Sequence, residues 1–293
     1  EYTVVCSTVA VGWSGYAGGL MQQAGWNMPA EFLAGPHAGG IVNLPAVFIT
    51  LAVTCLLLVG TRESATVNFI LVLVKLAALS AFVALTLPSF NPEHFHPFAP
   101  FGFGAQIGPD GVKRGVAAAA GIIFFAFYGF DAISTAAEEA KDPGRDLTIG
   151  IIGSMIACTA IYMIVAAAAL GASPFEVFSA SPEPLAFILR GLGHPQVAAV
   201  VAGAAVVALP TVIMVFMFGQ SRIFFAMARD GLLPRRLAAV GARGVPAPVV
   251  ILTGVVAAVI AGLLPLGEIA ALANAGTLLA FIATAVAMMV LRR

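Results

Sequence analysis

The sequence predicts an all-α protein that crosses a membrane many times, and three observations carry that expectation. Only 14 Lys or Arg and 14 Asp or Glu occur in 293 residues, 10% of the chain, where a soluble globular protein carries roughly 25%. Hydrophobic residues make up 60% and the mean hydropathy is +1.02, which excludes a disordered segment and leaves a soluble surface short of charge. Uncharged runs of membrane length also recur from one end of the chain to the other, separated by Pro, Gly and charged residues. Acids and bases balance and no more than two Lys or Arg are consecutive, so the basic footprint of a nucleic-acid-binding protein is missing.

A helix rises about 1.5 Å per residue, so about 20 apolar residues cross roughly 30 Å of hydrocarbon. Eight runs satisfy this: Tyr2–Gln23, Ile41–Gly60, Val67–Pro88, Gly115–Ala140, Thr148–Gly171, Gln196–Arg222, Val249–Leu264 and Ile269–Leu291. Small residues recur along them at helix-packing spacing, as at Ala10, Ser14 and Gly18 or at Gly153 and Ala157. Such stripes mark closely packed membrane helices and do not by themselves mark a site. Trp13, Tyr16 and Trp26 lie towards one end of the first run, where aromatic side chains suit a membrane interface. The sixth run continues as Gly219-Gln-Ser-Arg222-Ile-Phe-Phe-Ala-Met-Ala-Arg229 and stops at Gly231 and Pro234. Six runs have uncharged interiors; the third contains Lys75 and the fourth contains Asp131, with Glu138 and Glu139 near its end.

Positively charged loops stay in the cytoplasm. One set of alternate links and ends holds Arg62, Lys141, Arg145, Arg222, Arg229, Arg235, Arg236, Arg243, Arg292 and Arg293, ten in all, and the other holds three, Lys113, Arg114 and Arg190. The first set is therefore expected inside. The links Ala24–Gly40, Ser89–Arg114 and Ala172–Pro195 are then expected to face outward, and their Pro, Gly and His content predicts turns and short surface helices.

Cys6, Cys55 and Cys158 each sit in an uncharged apolar run without metal-site spacing, and read as small hydrophobes. His94 and His96, flanked by prolines in an outward link, read as solvated. No cofactor or metal is expected. The chain starts at Glu1 without Met and is already apolar at Tyr2, which reads as a piece of a longer protein.

The chemistry concentrates in Gly121-Ile-Ile-Phe-Phe-Ala-Phe-Tyr-Gly-Phe-Asp131-Ala-Ile-Ser-Thr-Ala-Ala-Glu-Glu-Ala-Lys-Asp-Pro-Gly-Arg-Asp146. Gly129 permits a break in the helix, and Asp131, Ser134 and Thr135 put polar groups at membrane depth, where they must face a cavity or a protein partner. A broken helix leaves free carbonyls on one half and free N–H groups on the other, which together suit a zwitterion. Asp131 has two readings: a cap on the second half-helix or a direct contact with a ligand. Of the four aromatic residues Phe124, Phe125, Phe127 and Tyr128, one or two are expected to face that ligand. Lys75, eleven residues past Ser64, is too deep to reach water easily, and a buried ammonium costs several kcal/mol unless paired. It is either a permanently paired structural lysine or a group that changes protonation as water access alternates. Arg229 is expected to pair with Glu138, Glu139 or Asp142 as a cytoplasmic latch.

These residues resemble a known family. Phe-Phe-Ala-Phe-Tyr-Gly-Phe-Asp131-Ala-Ile-Ser-Thr-Ala-Ala-Glu-Glu-Ala-Lys-Asp-Pro-Gly-Arg and Gly-Gln-Ser-Arg222-Ile-Phe-Phe-Ala-Met-Ala-Arg-Asp-Gly-Leu-Leu-Pro are similar to the bacterial cationic amino acid transporter branch of the amino acid–polyamine–organocation superfamily. Glu1-Tyr2 followed by Gly12-Trp-Ser-Gly-Tyr16 resembles that branch's third membrane helix. The resemblance implies a leucine-transporter-type fold of two inverted five-helix repeats, of which residues 1–293 form one transmembrane transporter domain truncated at both ends, from about helix three to helix ten of twelve. It implies that Phe125 is an aromatic gate over the substrate, that the carbonyls of Phe125, Ala126 and Tyr128 receive its amino group, and that Asp131 and Glu1 are acidic positions near it. It implies that Lys75 serves proton coupling, and that the bulk of Phe216 favours smaller neutral amino acids over arginine.

The function so implied is proton-coupled uptake of L-amino acids across the cytoplasmic membrane by alternating access, with lipid and a small single-helix membrane protein as further partners. The alternative is a non-transporting sensor or scaffold of the same fold. Enzymatic chemistry is not expected, since the runs contain no nucleophile–base pair and no His/Glu cluster.

Overall fold

The computed structural model describes residues 1–60, 65–108, 113–130, 142–240 and 245–291, and within them each of the eight apolar runs forms helix. The α-helices are α1 (Tyr2–Gln23), α2 (Leu44–Val59), α3 (Ala65–Thr86), α4 (Val116–Ile123), α5 (Pro143–Ala172), α6 (Phe175–Phe178), α7 (Pro184–Gly191), α8 (Pro195–Arg229), α9 (Ala247–Leu263) and α10 (Leu266–Leu291). Five of them, α1, α3, α5, α8 and α10, are long and apolar enough to cross a membrane, and α2, α9 and the stretch around α4 are shorter apolar helices. The all-α multi-pass expectation therefore holds. Large side chains such as Phe69, Met163, Leu279 and Met289 remain exposed, as on helices whose outward solvent is lipid.

The helix ends follow local chemistry. Asn43 caps α2, its Oδ1 accepting the Ala46 N–H at 3.1 Å, and Gly60 ends the helix in a left-handed conformation at φ +79. The links that were expected to face outward contain the expected turns and short helices, and also one element that the sequence did not announce. Gln106–Ile107 (β1) and Lys113–Arg114 (β2) pair antiparallel, Gln106 opposite Arg114. The link before this hairpin is tied to the end of α5, where Gly171 accepts the Asn91 N–H at 2.8 Å and its carbonyl lies 3.0 Å from Nδ1 of His94. His94 is thus a contact between elements rather than a freely solvated side chain.

Two cores form. The larger gathers Val5, Cys6, Ala10 and Trp13 of α1 with Ile49 and Val53 of α2, Ile213 and Met217 of α8, Val250 and Ala257 of α9 and Ala273 of α10, so α1 is the hub. The second joins Phe82 of α3, Ala168 of α5, Leu189 of α7 and Val201 of α8. Small residues allow the close approaches, as expected between helices in lipid. At Gly254 of α9, a Cβ would lie 2.2 Å from Oγ1 of Thr54 on α2, so any larger residue would force the two helices apart.

Pro210 lies inside α8. Proline has no N–H, so the carbonyl four residues earlier loses its helical donor. That carbonyl belongs to Val206, and it accepts the indole N–H of Trp13 at 2.8 Å. The Cys6 thiol donates to the Ile213 carbonyl at 3.5 Å on the same interface. The irregular turn of α8 is therefore satisfied from α1, and this fixes the level of Phe216, which lies less than two turns further on.

Candidate functional site

The fourth apolar run breaks where Gly129 made a break possible. After Ile123, α4 tightens into a 3-10 turn over Phe124–Phe127, and Tyr128 is extended at φ −58, ψ 141. Gly129 follows at φ +107, a region that side-chain-bearing residues occupy only under strain. Tightening from α to 3-10 geometry shortens the hydrogen-bond step, so carbonyls in the last α turn lose their donors. Two of these, of Gly121 and Ile122, accept instead from Nδ2 of Asn274 on α10, at 3.1 and 3.2 Å.

Rings surround the turn. Tyr128 meets Phe125 edge-on with centroids 5.1 Å apart and Phe124 at 5.6 Å. Phe124 and Phe130 both meet Phe281 of α10, at 6.2 and 5.7 Å. Phe127 meets Tyr162 of α5 at 5.6 Å. Phe125 and Tyr128 are half-buried and pack against the larger core. Edge-to-face pairs of this kind contribute about 0.5–1.5 kcal/mol each beyond burial, so the turn is held by its rings although its regular helical bonds are interrupted.

The structure brings several predicted residues together here. Phe216 is 6% exposed, and its Cζ lies 3.5 Å from the place where a Cβ on Gly129 would stand. The same ring meets Tyr2 of α1 edge-on, centroids 5.3 Å apart. Glu1, the residue before Tyr2, is half-buried, and its carbonyl accepts the N–H groups of Val4 and Val5 at 2.9 and 3.1 Å. Phe125, Tyr128, Phe216 and the start of α1 therefore belong to one neighbourhood. The Ala126 carbonyl is there too, and it accepts the hydroxyl of Tyr162 at 2.9 Å. A carbonyl oxygen has two lone pairs, so this bond occupies one and leaves one.

Lys75 is half-buried on α3, which packs against α5 and α8. Asp131, Glu138 and Glu139 lie outside the described residues. Nε of Arg229 pairs with its chain neighbour Asp230 at 3.3 Å, both exposed; of the partners expected for a latch, Glu138 and Glu139 fall outside the described residues. Asp142 instead caps α5 through the Arg145 N–H at 3.4 Å, because a carboxylate one residue before a helix finds its unpaired N–H groups first. Arg222 lies over the Phe218 ring at 4.3 Å. Among the described residues, no group of three His, Cys, Asp or Glu is placed to hold a metal ion.

Three residues at the break were not singled out in the sequence: Tyr2, Tyr162 and Asn274. Asn274 carried a usable signal, being a lone amide in an apolar run, where each unpaired polar group costs free energy. Tyr2 and Tyr162 carried none, since an aromatic residue in a membrane helix is ordinary.

A cavity of about 630 Å³ lies elsewhere, bounded by Ser14, Gln22, Asn43, Phe187, Glu183 and Arg190. Glu183 and Arg190 pair with one another, and the segment carrying Glu183 docks on α1 where Gly15 and Gly19 have no side chains; a Cβ at Gly15 would meet the Pro182 carbonyl at 2.4 Å. Among the described residues its walls include no interrupted helix, so the break is the better candidate.

The family model for amino acid permeases matches residues 2–293. The branched-chain amino acid permease BcaP of Bacillus subtilis (strain 168) is 40% identical over all of this chain and 62% of its own length. The methylthioribose transporter of the same organism is 36% identical over the same shares, 100% and 62%. Cationic amino acid transporter 4, vacuolar, of Arabidopsis thaliana is 32% identical over 100% of this chain and 48% of its own length. The chain thus spans 62% or less of the length of these relatives. All three names are those of transporters or permeases, and none is that of an enzyme.

Proposed function

Because the chain belongs to the amino acid permease family, we propose that the protein carries L-amino acids with small or medium neutral side chains inward across the cytoplasmic membrane, coupled to protons, by alternating access. The observation that carries this reading is the break at Tyr128 and Gly129, placed against Phe216 in a chain of membrane helices. Interrupted membrane helices present carbonyls to an ammonium group and N–H groups to a carboxylate without spending a buried charge on either. In this reading Phe125 covers the substrate, the carbonyls of Phe125, Ala126 and Tyr128 receive its ammonium group, and Asp131 and Glu1 supply negative potential nearby. Phe216 limits the length of the side chain. Lys75 takes up and releases the coupled proton as its access to water changes sides.

The size limit follows from Phe216 filling space beside Gly129. A long guanidinium side chain would have to displace that ring or leave its charge unpaired in a low-dielectric site, which costs several kcal/mol. Apolar side chains of leucine size lose nothing comparable.

The test is uptake of labelled leucine into proteoliposomes bearing the full-length protein, at two external pH values, with a competition panel of neutral, cationic and acidic amino acids and methylthioribose. Uptake that rises with an inward proton gradient and is competed by neutral amino acids is expected. Leucine-induced thermal stabilisation without uptake would establish the sensor function instead. Competition by methylthioribose alone would overturn the amino acid assignment.

A further inference from the structure

Asn274 is an amide in the interior of α10, 7% exposed, among Ile, Ala, Leu, Gly and Thr. Its side chain offers two N–H donors and an oxygen with two lone pairs. Both donors and one lone pair are directed to the broken stretch. Nδ2 donates to the carbonyls of Gly121 and Ile122, at 3.1 and 3.2 Å, and Oδ1 accepts the Tyr128 hydroxyl at 2.7 Å. The two carbonyls lie before the 3-10 turn and the hydroxyl belongs to the residue after it. One side chain of α10 therefore bridges the turn from end to end.

The same helix holds the turn by its rings, through Phe281 against Phe124 and Phe130. It also packs on α1, the helix whose Tyr2 meets Phe216 of α8 to form the opposite wall. A shift of α10 along its axis would pull both ends of the turn together, because the amide is bonded to both.

We propose that Asn274 is the positioning residue of the break: it fixes the spacing between the last turn of α4 and Tyr128, and through that spacing the direction in which the Phe125 and Tyr128 carbonyls point. This rests on the reading of the break as the amino acid site. Asparagine suits the task where aspartate does not. A carboxylate of the same shape accepts from Tyr128 as well as the amide does, but it has no donor for the two carbonyls and sets negative charge against their oxygens.

That difference supplies the test, made on the full-length protein in nanodiscs and proteoliposomes. Asn274→Asp keeps the Tyr128 bond and loses the other two; Tyr128→Phe loses that bond and keeps the ring; the Tyr128→Phe, Asn274→Ala pair is compared with Asn274→Ala. Losing two hydrogen bonds of ordinary strength is expected to raise KM for leucine about thirtyfold in Asn274→Asp, and losing one about fivefold in Tyr128→Phe, with a smaller change in kcat. The double variant is expected to be no worse than Asn274→Ala, the mark of residues acting as one unit. Hydrogen exchange of the amides of residues 124–130 is expected to quicken in each variant while those of α9 keep their rates, and this readout needs no transport. Additive losses in the double variant, or unchanged exchange at 124–130 in Tyr128→Phe, would overturn the proposal. Failure of the parent protein to take up any amino acid would overturn the transport reading and leave the exchange result to decide the role of Asn274.

Discussion

Tyr2 and Phe216 meet edge to face, their ring centroids 5.3 Å apart at 76°, and the tip of the Phe216 ring faces the backbone of Gly129. Two helices that pack along much of their length, α1 and α8, thus present one wall of aromatic surface to the only described position where α4 and its continuation leave helical geometry. α8 is tied to α1 ten residues before Phe216, where the Trp13 indole donates to the Val206 carbonyl.

In the proposed function Phe216 sets the side-chain limit. Phe216→Met keeps an apolar side chain of similar volume, a class of exchange that costs under about 1.5 kcal/mol, and it replaces a flat ring by a chain that can move aside. The variant is expected to accept phenylalanine and arginine better relative to leucine by about tenfold, the scale set by filling or emptying a methylene-sized space. Competition constants against labelled leucine measure this, and an unchanged ratio would remove Phe216 from the specificity determinants.

Gly129 tolerates no side chain at φ +107, although the space beside it would accept one. Gly129→Ala is expected to cost about 1–3 kcal/mol in backbone strain and to lower uptake at least tenfold while the protein still assembles. Gly153→Ala is the control: that glycine has nothing within 4 Å of its missing Cβ and an ordinary helical φ, and its replacement is expected to gain about 0.5–1 kcal/mol of helix stability. Equal behaviour of the two variants would show that the break does not depend on the glycine.

Trp13→Phe removes the donor to the Val206 carbonyl. A buried acceptor left unmade costs about 1–3 kcal/mol, so a clear fall in thermal stability in detergent is expected. Trp26→Phe, at a residue 75% exposed, is expected to change little. If both substitutions shift the midpoint equally, the bond to Val206 contributes nothing special.

Lys75→Ala in the full-length protein is expected to abolish accumulation driven by a pH gradient and to spare exchange of internal for external leucine. The expectation rests on the cost of an ammonium at membrane depth, which makes its charge sensitive to any change in its surroundings as the carrier moves. Proteoliposome uptake with and without an imposed gradient separates the two modes. Gradient-driven uptake at the parent rate would end the coupling role.

The spans were readable because hydropathy over about 20 residues averages away local ambiguity, and helix ends such as Asn43 and Gly60 carry their own chemistry. Gly129 was readable because a glycine followed by Asp131 interrupts an otherwise apolar run. What escaped was long-range. Nothing near Val206 in the chain says that Trp13 will reach its carbonyl, although Pro210 announces that the carbonyl needs a donor. The 3-10 tightening over Phe124–Phe127 left no trace in the residue types, which read equally well as continuing helix. Asn274 was visible as an oddity, yet its partners lie about 150 positions away in the chain, and only the packing of α10 on the broken stretch joins them. The hairpin of β1 and β2 was missed because two-residue strands are below the reach of any periodicity.

The most direct measurement is substrate protection of a cysteine placed in the wall of the break. Phe216→Cys is introduced into the full-length protein with Cys55 and Cys158 replaced by alanine; Cys6 stays, being fully buried. Its alkylation by a membrane-permeant maleimide is timed with and without leucine. Saturating leucine is expected to slow the reaction several-fold, with half-protection at the concentration that half-saturates uptake in the same variant. An alkylation rate indifferent to leucine, in a variant that still transports it, would place the amino acid somewhere other than the break between Tyr128 and Phe216.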